Sequence, residues 1–206
     1  LEKTLPGLES RPEQVEMASA VTAAVENGEH LAVEAGTGVG KSLAYLLPSV
    51  LHAIRTGGKV MISTNTINLQ EQLIGKDVEI TRAVLAEFGE SPDQMRAAQL
   101  KGRANYLCFK RWQNAVLHTE PNDTESKVLS KILVWLKQTE TGDRNELALG
   151  RLIPMFTRYS AQGAAMCPSN EGPCFLRKAR NQANGSNVVI INHALLMSDI
   201  AMGGGL

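Results

Sequence analysis

The sequence predicts an α/β fold, a parallel sheet with flanking helices built around a phosphate-binding loop. Three observations predict it. Residues 35–42 read AGTGVGKS; strand and helix patterns alternate on either side of them; and an apolar, β-branched run, VVII, recurs at residues 188–191.

The elements follow in chain order. Residues 11–25, RPEQVEMASAVTAAV, place Val15, Ala18, Val21, Thr22 and Val25 on one face at helical spacing, and Pro12 and Glu13 suit a first turn. Residues 30–34 are a short, largely apolar run, read as the strand that feeds the loop. Residues 42–55 read as a helix bent by Pro48 and ended near Gly57 and Gly58. Residues 59–65, KVMISTN, are a second buried-strand candidate, and a helical stretch runs from Ile67 to about Phe88 with an interruption at Gly75. This β-α-β-α order implies a parallel sheet.

The middle of the chain behaves differently. Residues 101–113 are basic and aromatic, residues 126–138 form an amphipathic helix carrying Trp135, and residues 139–145 are a polar turn cluster. Residues 161–173 are loop-like and residues 175–184 helical, after which SNVVIINH at 186–193 reads as a third, central strand. The expected organisation is a nucleotide-binding part at 1–100, an insertion at 101–185, and a return strand within 186–206.

Composition narrows the class. The chain has 206 residues and is 43% hydrophobic, ordinary for a globular domain. Its longest apolar stretch, residues 43–54, is broken by Pro48 and His52 and falls short of the roughly 20 residues that cross a bilayer. No membrane partner is expected. Lysine plus arginine equals aspartate plus glutamate at 21 each, so any contact with nucleic acid must come from local patches. Three cysteines suit a disulfide framework poorly, and with a nucleotide loop present the reducing cytoplasm is the expected compartment.

The loop follows the pattern G-x-x-x-x-G-K-[ST], with Ala35 in place of the first glycine. Gly36, Thr37, Gly38, Val39 and Gly40 lead into Lys41 and Ser42. Each type has a physical reason. Glycines let backbone N–H groups turn inward around phosphate oxygens, and the helix N-terminus adds positive potential. Lys41 reaches the β and γ phosphates, and Ser42 ligates magnesium. ATP with magnesium is therefore the expected ligand.

Several segments together resemble the DinG and XPD group of superfamily 2 DNA helicases, most closely the bacterial DinG type. Arg11, Pro12 and Gln14 resemble its adenine-reading element, EAGTGVGKSLAYLLP from Glu34 its motif I, and STNTINLQEQL from Ser63 its motif Ia. KGRANYLC from Lys101, CFLRKAR from Cys174 and VVIINHALLMSD from Val188 follow in family order. The resemblance implies an incomplete RecA-like P-loop domain with a largely helical, iron-sulfur-type insertion. It also implies ATP-driven 5′ to 3′ movement on single-stranded DNA, in repair or replication.

The residues are consistent with these roles on their own chemistry. A glutamine amide matches the N6 and N7 edge of adenine, so Gln14 selects ATP, unless it is simply a polar residue on an amphipathic helix. Thr64, Asn65, Thr66 and Gln70 follow a strand at the sheet end where ligands bind, and short polar side chains there hold phosphates; capping by Thr66 is the plainer alternative. Lys101, Arg103, Lys110 and Arg111 alternate with Tyr106, Phe109 and Trp112, and Arg177, Lys178 and Arg180 form a second patch. Cations that follow a backbone beside rings that stack on bases make a single-strand path, although a short basic run is often only a solvated face.

The resembled family holds an iron-sulfur cluster with four cysteines in this insertion, and here only Cys108, Cys167 and Cys174 are present. That leaves three readings: a non-cysteine ligand, a cluster with an open iron, or a site without metal. No sequence resembling D-E-A-H occurs, so the chain is expected to be the N-terminal piece of a larger helicase. It would bind nucleotide without hydrolysing it and work with the remainder of its parent. A single-stranded nucleic-acid-binding module with a dispensable motor, and a P-loop kinase or transporter ATPase, are the competing readings.

Overall fold

The computed structural model describes residues 11–162 and 172–204. Its elements are α1 (Pro12–Asn27), α2 (Lys41–Thr56), β1 (Val60–Thr64), α3 (Ile67–Gln72), α4 (Val78–Leu85), β2 (Ala97–Gln99), α5 (Phe109–His118), α6 (Asp123–Trp135), α7 (Ile153–Phe156), α8 (Phe175–Gly185), β3 (Val188–Asn192) and α9 (His193–Ala201). The chain divides into two compact units. The first holds the residues through Leu100 and again from Ala183, and the second holds Lys101–Gln182.

In the first unit three parallel strands lie in the order β1-β3-β2. Val60 pairs with Val188 and Ile62 with Ile190 on one side, and Ala97 pairs with Val188 on the other. β3 is the middle strand. A strand covered on both faces reads as an unbroken apolar run, and Val188, Val189, Ile190 and Ile191 are all buried. Leu46 and Val50 of α2, Ile62 of β1, Leu73, and Val78 and Leu85 of α4 pack into the same core.

β2 carries no β-branched residue and is only three residues long, so sequence pattern does not reveal it. It is placed from outside: Leu100 N–H bonds Ile190 O at 2.9 Å, and the fully buried Gln70 amide donates to Leu100 O at 2.9 Å and Ile190 O at 2.8 Å. The interruption expected at Gly75 is a π-helical turn, Leu73–Asp77, inserted between α3 and α4 without breaking the helical path. It brings Leu73 and Asp77 both to buried positions. Asn192 caps α9 by accepting from Leu195 N–H at 2.8 Å, and that helix was not anticipated.

One expected strand does not form. Residues 30–34 are irregular, and Leu31 and Val33 are 45% and 43% exposed. A strand needs a ladder to satisfy its backbone groups. Among the described residues β1 and β2 each pair with β3, and residues 30–34 pair with none of the three strands.

The second unit is mostly helical, tied by isolated antiparallel bridges at Tyr106–Asp143, Leu107–Ser160 and Cys108–Cys174. Asn122 and Glu125 form a reciprocal capping box that starts α6. Val128, Ile132 and Trp135 of α6 are buried with Phe156, whose ring meets Trp135 edge-on at 6.5 Å. Gly142, at φ 65°, could not be replaced, since a Cβ there would lie 2.1 Å from the Phe175 ring.

Candidate functional site

The loop between residues 35 and 42 turns on two glycines, Gly38 at φ 85° and Gly40 at φ 86°, values that other residues rarely adopt. Gly40 is the N-cap of α2. It offers no side chain to the first turn, and no acidic residue stands there. The leading N–H groups of a 16-residue helix are thus left for a ligand, and the dipole favours an anion at that end. Lys41 lies at the same place, with its ammonium donating to Ala35 O and Gly36 O at 2.8 Å each. Its charge is held inside the loop by carbonyl oxygens, which a phosphate oxygen can replace.

The start of α1 grips the loop from the other side. Gln14 Nε2 donates to Gly40 O at 2.9 Å, and the Arg11 guanidinium donates to Gly38 O. A Cβ on Gly40 would fall 2.2 Å from Gln14 Nε2, so glycine is required for this approach as well as for the φ. One of the two hydrogens of the Gln14 amide thus goes to the loop. Arg11 and Gln14 act here on the loop backbone at the two residues whose dihedrals shape it.

Behind the loop, burial pushes the proton affinity of the Tyr45 hydroxyl and the Asp77 carboxyl up, the nearby Ser42 opposes the rise in both, and Asp77 adds to it at Tyr45.

At the carboxyl ends of the strands the expected residues separate. Asn65 and Thr66 are exposed, and Thr66 caps α3 by accepting from Leu69 N–H at 3.2 Å. Thr64 and Gln70 are corrected out of the DNA-facing set. Thr64 is 3% exposed with its hydroxyl donating to Thr66 O at 2.9 Å, and Gln70 is fully buried between two strands. His193 is a residue that sequence reasoning missed: its Nδ1 lies 2.7 Å from Ser63 Oγ, joining the ends of β1 and β3.

In the second unit two more expectations are corrected. The Lys101 side chain is completely buried and its ammonium is paired with Asp143, whose side chain is 7% exposed. Tyr106 is 3% exposed, its hydroxyl accepts from Lys101 N–H at 3.0 Å, and its pKa is pushed up to about 12, chiefly by burial. Neither can reach a DNA strand. Arg103, Lys110, Arg111, Arg177 and Arg180 are exposed, with Arg111 also donating to Ser160 O at 3.1 Å.

Cys108 and Cys174 face one another across a backbone bridge, the first half-buried and the second exposed, and both are free thiols. Cys167 lies outside the described residues. Among those described, no group of three His, Cys, Asp or Glu side chains could hold a metal. No helix among the described residues is long and apolar enough to cross a membrane.

The DEAD/DEAH box helicase family matches residues 12–132. An "ATP-dependent helicase DinG" of Mycobacterium tuberculosis (strain ATCC 25618 / H37Rv) is 37% identical over 205 residues, covering 90% of this chain and 30% of the relative. An "ATP-dependent DNA helicase YoaA" of Escherichia coli (strain K12) is 36% identical over 98% of this chain and 31% of its own length. A "3'-5' exonuclease DinG" of Bacillus subtilis (strain 168) is 37% identical over 97% of this chain and 21% of its own. The chain thus spans at most about a third of these relatives.

The buried pair of the second unit separates a structural lysine from a DNA-binding one. Replacing Lys101 by Ala leaves Asp143 charged and uncompensated and costs about 3 to 5 kcal/mol of stability, whereas Arg180→Ala at an exposed position changes it by less than about 0.5 kcal/mol. Urea unfolding of the two variants measures the contrast, and equal small effects would contradict the assignment.

Proposed function

The chain belongs to the DEAD/DEAH box helicase family, and from that premise we propose that it is the nucleotide-binding part of an ATP-dependent DNA helicase of the DinG type. The observation that carries the reading is the loop at 35–42, with Lys41 held inside it and the uncapped start of α2 behind it. Gly36, Thr37, Gly38, Val39 and Gly40 present backbone N–H groups to the phosphates. Lys41 exchanges its two carbonyl partners for phosphate oxygens, which places a positive charge where negative charge accumulates during phosphoryl transfer. Ser42 holds magnesium, and the metal neutralises the β and γ phosphates when bound. No D-E-A-H-like sequence occurs in the 206 residues, so this reading assigns them the grip on nucleotide and metal and leaves the positioning of attacking water to other residues.

The exposed Arg103, Lys110, Arg111, Arg177, Lys178 and Arg180 of the second unit are proposed to follow the phosphates of single-stranded DNA, and Asn65 and Thr66 of the first unit are proposed separately as phosphate contacts. Movement 5′ to 3′, in repair or replication, is the contribution of the family resemblance. Unwinding of duplexes with a single 5′ or 3′ tail by the whole helicase reads the polarity. Cys108, Cys167 and Cys174 are proposed as ligands of an iron-sulfur cluster, supported by the adjacency of Cys108 and Cys174. Anaerobically purified protein would then carry iron and acid-labile sulfide, and a colourless, iron-free sample would remove the cluster.

Equilibrium binding of a fluorescent ATP analogue tests the nucleotide reading. Lys41→Ala is expected to weaken binding at least tenfold, about 1.4 kcal/mol or more, with unlabelled ATP competing. Binding that survives the substitution unchanged would overturn it.

A further inference from the structure

At the amino ends of the three strands, where α2 arrives from the phosphate loop, the first unit holds a cavity of about 460 Å³. Gly58, Lys59, Gln94, Arg96, Ser186 and Asn187 are among its walls, and none of the described residues lining it is acidic or aromatic. Hydrogen bonds set its frame. Arg96 N–H donates to Asn187 Oδ1 at 2.9 Å and Asn187 Nδ2 donates to Gln94 O at 2.8 Å, which ties the entry of β3 to the entry of β2. Lys59, just before β1, donates through its ammonium to Ala183 O at 3.1 Å and Asn184 O at 3.2 Å, and Arg96 Nε donates to Gly185 O at 2.9 Å. Both cations are exposed, and these contacts hold them on backbone carbonyls rather than on a carboxylate.

Carbonyls at the end of a helix are ordinary partners for a cation, so charge decides whether capping is all that these residues do. α2 ends against Gly57 and α8 at Gly185, both on the cavity wall. Each helix end carries about half a negative charge, so two ends set against two cations leave roughly one positive charge unopposed. Donors are left over as well. An ammonium has three hydrogens and a guanidinium five; of these, Lys59 places two on carbonyls and Arg96 one. Lys41 is held in the same manner, on two carbonyls, at the phosphate loop. We propose that this cavity is a phosphate-binding site separate from the loop, in which Arg96 and Lys59 grip the oxygens of a phosphate group. The planar guanidinium fork takes two oxygens at once, and the ammonium adds a point charge. With no ring on the wall to stack on, the site holds a phosphate without reading a base. A phosphodiester of a DNA backbone and a free phosphate compound share this chemistry. The inference does not depend on what the loop binds.

Backbone amide NMR of the 206-residue protein, titrated with inorganic pyrophosphate, tests it, because each site reports through its own residues. Signals of Gly57, Gly58, Gly185 and Ser186 are expected to move and saturate as a set distinct from residues 36–42. Lys59→Gln and Arg96→Gln each keep a donor near the helix-end carbonyls and remove a charge. Each is expected to weaken pyrophosphate at the cavity about tenfold and to leave its binding at the loop unchanged. Signals of Ile190 and Ile191 that keep their positions report an intact sheet in the variants. Single-stranded oligothymidylate then identifies the source. Cavity signals that follow it assign the site to the DNA backbone, and signals that follow pyrophosphate alone assign it to a free phosphate compound. Cavity signals that neither probe moves in the original protein, or that move equally in the double variant, overturn the inference and leave Lys59 and Arg96 as caps of α8. Pyrophosphate that moves the cavity set but not residues 36–42 supports the inference while counting against the nucleotide reading.

Discussion

Helix α2 has one end that the core fixes and one end that the fold leaves open, and the first unit is arranged around that asymmetry. Leu46 and Val50 are essentially inaccessible to water, packed with the central strand and α4. Burial of each large apolar side chain contributes about 1.5 to 3 kcal/mol, so the helix axis cannot drift. Its first turn is therefore held at a set place, with Gly40 as an N-cap that supplies no side chain. A helix end left without a cap is normally a defect. Here it is the feature that makes an anion site, and the loop before it needs two left-handed glycines to reach it.

The supports of the loop come from elements distant in sequence. Arg11 and Gln14 hold the carbonyls of Gly38 and Gly40, more than 25 residues along the chain. The loop is thus braced through its own backbone carbonyls. Its lysine is stored on two further carbonyls, so the positive charge is balanced without an acidic partner. That storage is reversible because carbonyl contacts are weaker than charge-assisted contacts to phosphate.

Much of this was legible in the sequence, for identifiable reasons. AGTGVGKS has few other uses between an apolar run and a helix, and VVII at the centre of the sheet announces its burial on both faces. The helix boundaries of α1 and α2 follow from Pro12, Gly28 and Gly57, where local backbone preference decides. Tertiary contacts decided the rest. β2 has no pattern of its own and is placed by Gln70 and Ile190, while residues 30–34 have the apolar pattern of a strand and pair with none of the three strands. Lys101 and Tyr106 looked like DNA contacts because charge and aromaticity are visible in sequence and burial is not. Asp143, which turns Lys101 inward, lies 42 residues away. The π turn at Leu73–Asp77 is a helix irregularity that propensity does not encode.

The central claim is that the backbone of residues 36–42, and not only the Lys41 side chain, receives the phosphates. Amide hydrogen exchange of this segment, followed residue by residue with and without saturating magnesium ATP, tests it most directly. The account predicts marked slowing at Gly38, Gly40, Lys41 and Ser42, with little change in β2 or in the second unit. Exchange in the loop that stays the same when nucleotide is bound would contradict it.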